Sequence, residues 1–154
     1  RPWIAYMRIK KILEITIPGD PVPKGRPKAS RQGNFIRMRT PKRTRDEGER
    51  LRFHVLQHLK KIDSSIFPSE KPLVGFFEFY IRRPKNLHRR KDPEGIILHT
   101  KKPDGSNFLK LIEDVLEGLI YKNDSQFFMP ISMKFYTSKT GVPHQKIRIY
   151  EITD

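Results

Sequence analysis

Apolar and polar residues recur at regular spacings along most of the chain, and these spacings predict its secondary structure. Residues 13–17 alternate between apolar and polar, which predicts a half-buried strand. Residues 73–81 are apolar on both faces, as expected for a central strand covered by helices. Residues 127–135 and 146–152 alternate again on either side of a turn region, and predict a terminal antiparallel hairpin.

Two other segments have the spacing of amphipathic helices. Thr40 and Pro41 offer a hydroxyl cap and a proline at the first helical position, so we expect a helix from there to about Lys61. A second helix is expected after Asp104, which can serve as its N-cap, and Gly118 is a suitable stop. Its apolar side comprises Phe108, Leu111, Ile112, Val115, Leu116 and Leu119.

The order of these elements predicts the fold class. Residues 18–27 contain four prolines and form a stiff loop, and Gly33-Asn34 fits the turn of a short hairpin. The order is then strand, hairpin, helix, strand, helix and hairpin, without an internal repeat. We expect one α+β domain over residues 7–154, with a mixed β-sheet packed against two principal helices. Residues 1–6 precede Met7 and are expected to be an added or disordered leader.

The composition indicates a polyanionic partner. The net charge is +15, from 32 Lys and Arg against 17 Asp and Glu, which exceeds what solubility requires. Nucleic acid is the first candidate and an anionic membrane surface the second. No run of about 18 apolar residues occurs, so no membrane span is expected. Cysteine is absent, which excludes disulfides and fits a reducing cytoplasm. Phosphate-binding and dinucleotide-binding glycine motifs are also absent, so no small-molecule cofactor is expected.

The cations recur on the segments predicted to be loops, hairpin and helix start. We interpret them as phosphate contacts, although a solvated surface is the alternative. Residues 82–102 are the most basic segment and are expected to be a long mobile loop that becomes ordered on DNA. The candidate DNA-binding residues are Lys24, Arg26, Lys28, Arg31, Lys42, Arg43, Arg45, Arg82, Arg83, Arg89 and Arg90.

Acidic residues flank the second predicted helix. Asp104 precedes it and Asp124 follows it, so a short helical excursion is expected to bring the two carboxylates together around a divalent cation. The alternative is that Asp104 only caps the helix and Asp124 only ends it. Asn107, Lys110 and Asp114 lie together on the helix side opposite the apolar stripe. Acids within a basic surface suit metal-assisted phosphodiester cleavage, in which Mg²⁺ polarises the phosphoryl oxygen.

Three stretches resemble a known family, the RusA Holliday-junction resolvases, which are small phage- and prophage-associated endonucleases. They are residues 17–27, residues 102–110 with Asp114 four positions on, and residues 123–126. The resemblance implies a RusA-like fold and a homodimer in the bacterial cytoplasm. It also implies that the dimer binds four-way junction DNA and nicks paired strands with Mg²⁺, or with Mn²⁺ in its place.

The resemblance also implies roles for individual residues. Asp104 matches the family's first metal-binding aspartate and Asn107 its asparagine. Lys110 matches a lysine that the family places near the scissile phosphate. Asp124 matches the second acid of the element that follows the helix, and Asn123 stands where its first acid usually lies.

Ser106 departs from the family pattern, which normally has a metal-binding aspartate at this position. A serine hydroxyl is a weaker ligand for a hard cation than a carboxylate. Three explanations of Ser106 are open. Asp114 or a water completes the metal site, or the substitution serves to silence cleavage. Alternatively, the chain has lost cleavage activity and kept junction binding. The alternative function is therefore a non-cleaving junction-binding relative. A weaker alternative is a protein that binds RNA or another anionic surface.

Overall fold

The computed structural model of the chain describes residues 7–153, so the predicted leader, residues 1–6, lies outside the described residues. The elements in chain order are β1 (Arg8–Pro18), β2 (Lys28–Gln32), β3 (Phe35–Arg39), α1 (Lys42–Leu59), β4 (Leu73–Ile81), β5 (Ile97–Leu98), α2 (Gly105–Leu116), β6 (Phe127–Tyr136) and β7 (His144–Thr153). Short turns of 3-10 helix occur at Lys85–Leu87 and Asp124–Gln126. Neither α1 nor α2 is long and apolar enough to span a bilayer.

The predicted α+β fold is confirmed. Within the described residues, five strands form one mixed sheet in the order β1-β7-β4-β6-β5. β4 and β6 are parallel, and the other neighbouring strands are antiparallel. β2 and β3 form a separate antiparallel hairpin, as the Gly33-Asn34 turn predicted. Gly33 has a φ of 63°, a left-handed conformation that glycine adopts without steric cost.

The predicted hairpin between the last two strands is wrong. β4 lies between β6 and β7 and pairs with both of them. Because β4 is apolar on both faces, the centre of the sheet is its most favourable position. The alternation in residues 127–135 and 146–152 predicts two strands correctly, but it contains no information about a third strand between them.

The hydrophobic core lies between one face of the sheet and the two helices. β1 contributes residues 13, 15 and 17, as their alternation predicted, and β4 contributes Phe77 and Phe79. Phe79 stacks on Phe108 of α2 with ring centroids 5.1 Å apart. Each large apolar side chain buried in this way contributes about 1.5–3 kcal/mol to folding. The buried residues of α2 are Phe108, Leu111, Ile112, Val115 and Leu116.

Within the part of the chain that the structure describes, no helix covers the opposite face of β4, in contrast to the expectation. Its aromatic side chains instead pack on neighbouring strands. Phe76 contacts Tyr150 edge to face, and the Arg148 guanidinium lies over the Phe76 ring. Tyr80 stacks between Phe135 and His144. Rings and a guanidinium can cover each other at a partly exposed surface, so an apolar face does not require a helix.

The start of α1 differs slightly from the prediction. Pro41, and not Thr40, occupies the N-cap position, and the first turn has no side-chain cap. The hydroxyl of Thr44 instead accepts a hydrogen bond from the amide of Gly25 at 2.9 Å. This contact joins the proline-rich loop to the first turn of α1.

The basic segment 82–102 has a defined path, in contrast to the predicted mobile loop. Arg83 is only 4% exposed, and its guanidinium donates hydrogen bonds to four backbone carbonyls. The acceptors are Thr137 O at 2.9 Å, Pro93 O at 2.6 Å, Leu87 O at 3.3 Å and Gly95 O. Four guanidinium hydrogen bonds organise the loop, and the buried position of Arg83 does not support the prediction that it contacts DNA.

Candidate metal and nucleic-acid site

Asp104 lies at the N-terminal end of α2 with an exposed side chain. Its backbone is extended, as expected for an N-cap, but its carboxylate makes no capping hydrogen bond. Only its backbone carbonyl participates, by accepting the amide of Asn107 at 3.0 Å. The first turn of α2 contains no other acid, so the carboxylate remains available to a cation.

β6 holds this end of α2 in position. The Lys134 ammonium donates to Lys101 O at 2.6 Å and to Pro103 O at 2.7 Å. The Ser132 hydroxyl donates to Gly105 O at 3.0 Å. A Cβ at Gly105 would lie 2.9 Å from the Ser132 oxygen, so a larger residue at this position would displace the Ser132 hydroxyl. The backbone around Asp104 is therefore fixed by the sheet.

The polar side of α2 carries the remaining predicted residues of this half of the site. Ser106 and Lys110 are exposed, and Asn107 is half-buried. The Asn107 carbonyl accepts the amide of Lys24 at 2.9 Å. The Lys24 ammonium in turn lies 2.5 Å from a carboxylate oxygen of Asp114. The candidate third acid is therefore already paired with one of the candidate DNA-binding lysines.

Asp124 lies beyond the C-terminal end of α2, where its neighbours Asn123 and Gln126 form a capping box. The Asn123 side chain accepts the Ser125 amide at 2.9 Å, and the Gln126 side chain accepts the Asn123 amide at 2.8 Å. The Gln126 amide group also donates to two backbone carbonyls, Ser69 O and Lys71 O, both at 2.9 Å. The predicted supporting role of Asn123 has a physical basis here, because the box fixes the turn that presents Asp124.

Two further acids, Glu113 and Glu117, lie near Asp124. Glu117 accepts a hydrogen bond from the Asp124 amide at 3.3 Å. Burial, followed by the charges of Asp124, Asp114 and Glu117, raises the pKa of Glu113 to about 7. Burial, followed by the charge of Glu113, also raises the pKa of Tyr121, whose hydroxyl donates to Glu113 O. The sequence analysis missed both glutamates, although their i, i+4 spacing places Glu117, which directly follows α2, one turn beyond Glu113.

A single chain keeps Asp104 and Asp124 apart. The 12 residues of α2 separate them by about 18 Å along the helix axis. The length of β6 gives a similar separation. Ser132 contacts Gly105, next to Asp104, and Phe127 directly follows the turn that contains Asp124. These two residues of β6 are five positions, or about 16 Å, apart. The helical excursion therefore does not bring the two carboxylates together within one chain, as the sequence had led us to expect.

The donors at each end of α2 fit part of a Mg²⁺ site. Hard divalent cations bind carboxylate oxygens, and Mg²⁺ is often held by only one or two carboxylates together with water and phosphate. Among residues 7–153, however, no group of three or more Asp, Glu, His or Cys side chains is arranged to hold a metal. Each end thus supplies a partial ligand set.

Most of the predicted DNA-binding cations are exposed. Lys42, Arg43 and Arg45 crowd the first turn of α1, which contains no acid. Arg82 pairs with Asp20 at 3.1 Å, and Arg89 pairs with Asp92 at 3.2 Å. The Arg82–Asp20 pair is exposed on both sides, and such pairs are weak and can exchange for phosphate contacts. The other exposed members are Lys24, Arg26, Lys28, Arg31 and Arg90.

Comparison with known proteins identifies the class to which this fold belongs. A family model described as endodeoxyribonuclease RusA matches residues 18–150, which is most of the chain. The chain therefore belongs to the RusA endodeoxyribonuclease family, and the resemblance predicted from its sequence is confirmed. It is also similar to the uncharacterized protein YqaN of Bacillus subtilis (strain 168), with 28% identity over 149 residues. The match covers 92% of this chain and 97% of that protein.

Proposed function

We propose that the protein is a Mg²⁺-dependent endonuclease that resolves four-way DNA junctions in the bacterial cytoplasm. The observation that carries this proposal is the uncapped carboxylate of Asp104 at one end of α2 and the acidic cluster around Asp124 at the other. Family membership supports an activity on DNA, and the exposed cations of a chain with charge +15 support a polyanionic substrate.

Individual residues take the following roles in this proposal. Asp104 and Asp124 hold the cation, which when bound acts as a Lewis acid on the scissile phosphate. Mn²⁺ can replace Mg²⁺ on the same oxygen donors. Lys110, which is exposed on α2 beyond Asp104, stabilises negative charge that develops on the phosphate. Asp114 joins the site only if Lys24 releases it, for example to a DNA phosphate.

A homodimer is part of the proposal because a single chain separates the two carboxylates. β5 pairs with β6 only at Phe135 and Tyr136, and the His99 amide donates to Lys134 O at 3.1 Å. Within the described residues, β6 has no backbone partner along that edge before Lys134. Antiparallel pairing of this edge with a second copy, about an axis near Pro130, would bring Asp104 of one copy towards Asp124 of the other. A proline within the strand is compatible with an edge position. The two-fold symmetry would then create two equivalent sites.

The second candidate is a junction-binding protein that does not cleave, and the observation that favours it is Ser106. Its hydroxyl is exposed at the N-terminal end of α2, where the family normally has an aspartate. A missing carboxylate would weaken cation binding and leave the cationic surface intact.

Cleavage of an end-labelled four-way junction in Mg²⁺ and in Mn²⁺ tests both candidates. We would compare the natural chain with Ser106→Asp and use Asp104→Asn as the control for metal-dependent cleavage. Symmetric nicks by the natural chain that Asp104→Asn abolishes would support the proposed enzyme. Binding without nicks, with nicking by Ser106→Asp, would support the non-cleaving relative. If none of the proteins nicks or prefers the junction, both candidates fail.

A further inference from the structure

The hairpin formed by β2 and β3 is an arm that, among residues 7–153, lies outside the hydrophobic core and the main sheet. It forms its own two-stranded sheet, and its strand residues are exposed apart from the partly exposed Ser30. Five residues per strand give it a length of roughly 17 Å. A two-residue turn at Gly33-Asn34 keeps its end narrow. The hydrophobic core does not include it, so its sequence is not explained by folding.

The arm combines exposed apolar side chains with cations. Phe35 is 80% exposed at the tip, and Ile36 and Met38 are 76% and 62% exposed. Residues 28–39 contain Lys28, Arg31, Arg37 and Arg39 and no acid. Large apolar side chains on a projecting hairpin are unfavourable in water, which indicates that a partner covers them. The four positive charges require that this partner be anionic.

The strand register separates two faces of the arm. Phe35 lies opposite Gln32, Arg37 opposite Ser30, and Arg39 opposite Lys28, so one face has an aromatic tip followed by cations. On the other face, Ile36 and Met38 lie opposite Arg31 and Ala29. The first face thus carries one ring that can stack on a base and a row of charges that can follow the phosphates behind it.

We propose that the arm inserts into the branch point of the DNA junction, where Phe35 stacks on an exposed base. This inference rests on the proposed function and extends it by identifying the element that distinguishes a junction from a duplex. Base faces are covered inside a continuous duplex and become accessible where the strands exchange. Arg37, Arg39 and Lys28 hold the arm on the adjoining phosphates. The Phe35 ring separates neighbouring bases, as apolar side chains inserted between bases do in other DNA-binding proteins.

Binding selectivity provides the first test, with a four-way junction and a duplex of the same sequence in EDTA to prevent cleavage. Phe35→Ala should weaken junction binding about tenfold, the scale of one aromatic–base stack, and leave duplex binding unchanged. Arg37→Gln should weaken both by a similar factor, because phosphate contacts are common to both substrates. Phe53→Ala, at an exposed Phe on α1, is the matched control and should change neither. A thermal melt would verify that each variant is folded.

Fluorescence provides the second test. In a Trp3→Phe background, Phe35→Trp introduces the only indole of the chain, and its emission should be quenched by the junction and not by the duplex. If the natural chain does not prefer the junction, the proposed function fails first. If the natural chain does prefer the junction, three results would overturn the arm proposal. Phe35→Ala could keep the full preference for the junction, or junction and duplex could quench the Phe35→Trp emission equally. A change in the oligomeric state of Phe35→Ala would show that the arm joins two copies of the chain instead.

Discussion

The two ends of α2 carry the acids assigned to the metal, but their electrostatic surroundings differ. At the N-terminal end, Asp104 faces the positive end of the helix dipole, with Lys110 one and a half turns away. At the C-terminal end, Glu113, Glu117 and Asp124 lie at the negative end of the dipole, and the last turn contains no basic residue. Acidic residues are therefore crowded at the C-terminal end, where the pKa of Glu113 is raised by burial and by the charges of its acidic neighbours.

From this difference we expect the C-terminal end of α2 to depend more on an external cation than the N-terminal end does. Burial and neighbouring acids raise the pKa of Glu113, and the charge of Lys110 offsets this effect only in part. A divalent cation near Asp124 would relieve this repulsion, whereas Asp104 requires no such relief. We therefore expect the C-terminal end to supply most of the cation affinity and the N-terminal end to determine where the cation meets the phosphate.

The largest expected effect is complementation between two inactive variants. Asp104→Asn and Asp124→Asn should each reduce nicking of a four-way junction by more than about a hundredfold, because each removes a metal ligand. If two copies share each site, an equimolar mixture should regain about one quarter of the natural rate, since half of the dimers are mixed and each has one intact site.

Complementation requires that the copies exchange, which a mixture of differently tagged chains would verify by co-purification. Asp104→Asn mixed with natural chain is the control for dilution. An exchanged mixture that remains inactive would show that the two ends of α2 do not act together across copies.

A smaller effect is expected for residues that position each end. Gln126→Ala removes the side chain that supports the turn of Asp124, and Lys134→Met removes the ammonium that holds the backbone before Asp104. Each should reduce nicking about tenfold, as is typical when a group supporting a metal ligand is lost. The affinity of each variant for the junction in EDTA should change little. If high Mg²⁺ restores the nicking rate of Gln126→Ala, the variant has lost cation binding. An equal loss of DNA binding would contradict a positioning role.

The pH dependence of stability should report the crowding at the C-terminal end. The folded chain holds the Glu113 proton to a higher pH than the unfolded chain does. The free energy of unfolding of the natural chain therefore decreases as pH rises from the ordinary glutamate pKa of 4.5 to about 7. Glu113→Gln should remove this decrease and raise Tm by on the order of 2 °C above pH 7 in metal-free buffer. Equal pH profiles of Tm for the two proteins would show that Glu113 is not perturbed.

The smallest expected effect concerns the charges beside the N-terminal end. If the protein contacts about six to eight phosphates, log K against log salt should have a slope near −5 to −7. Arg26→Gln, at an exposed position, should reduce this slope by about one. Lys24→Gln should reduce it less, because Lys24 is paired with Asp114 and its release costs part of the gain. Salt titrations of junction binding would measure all three slopes. A larger change for Lys24→Gln would show that the pair breaks on DNA.

Residues that are neighbours along one strand, one helix or one turn were predicted from the sequence. The alternation of residues 13–17, the apolar stripe of α2 and the Gly33-Asn34 turn are local patterns, and each produced the expected element. Local patterns suffice here because side-chain direction repeats with a period of two in a strand and 3.6 in a helix. The motifs around Asp104 and Asp124 likewise identified the family, since a motif is itself a local property.

Relations between distant residues were decided only by the tertiary structure. The insertion of β4 between β6 and β7 depends on which strand is most apolar on both faces, a comparison across the whole sheet. Arg83 resembles its basic neighbours in sequence, but it is buried and its guanidinium donates to four backbone carbonyls. The distance between Asp104 and Asp124 follows from the rigid length of α2. The raised pKa of Glu113 follows from burial beside acids whose proximity the sequence pattern does not reveal. Sequence alone determined the elements and the family, because both depend on residues close in the chain. Packing determined which charges meet, because electrostatic interaction depends on distance in space.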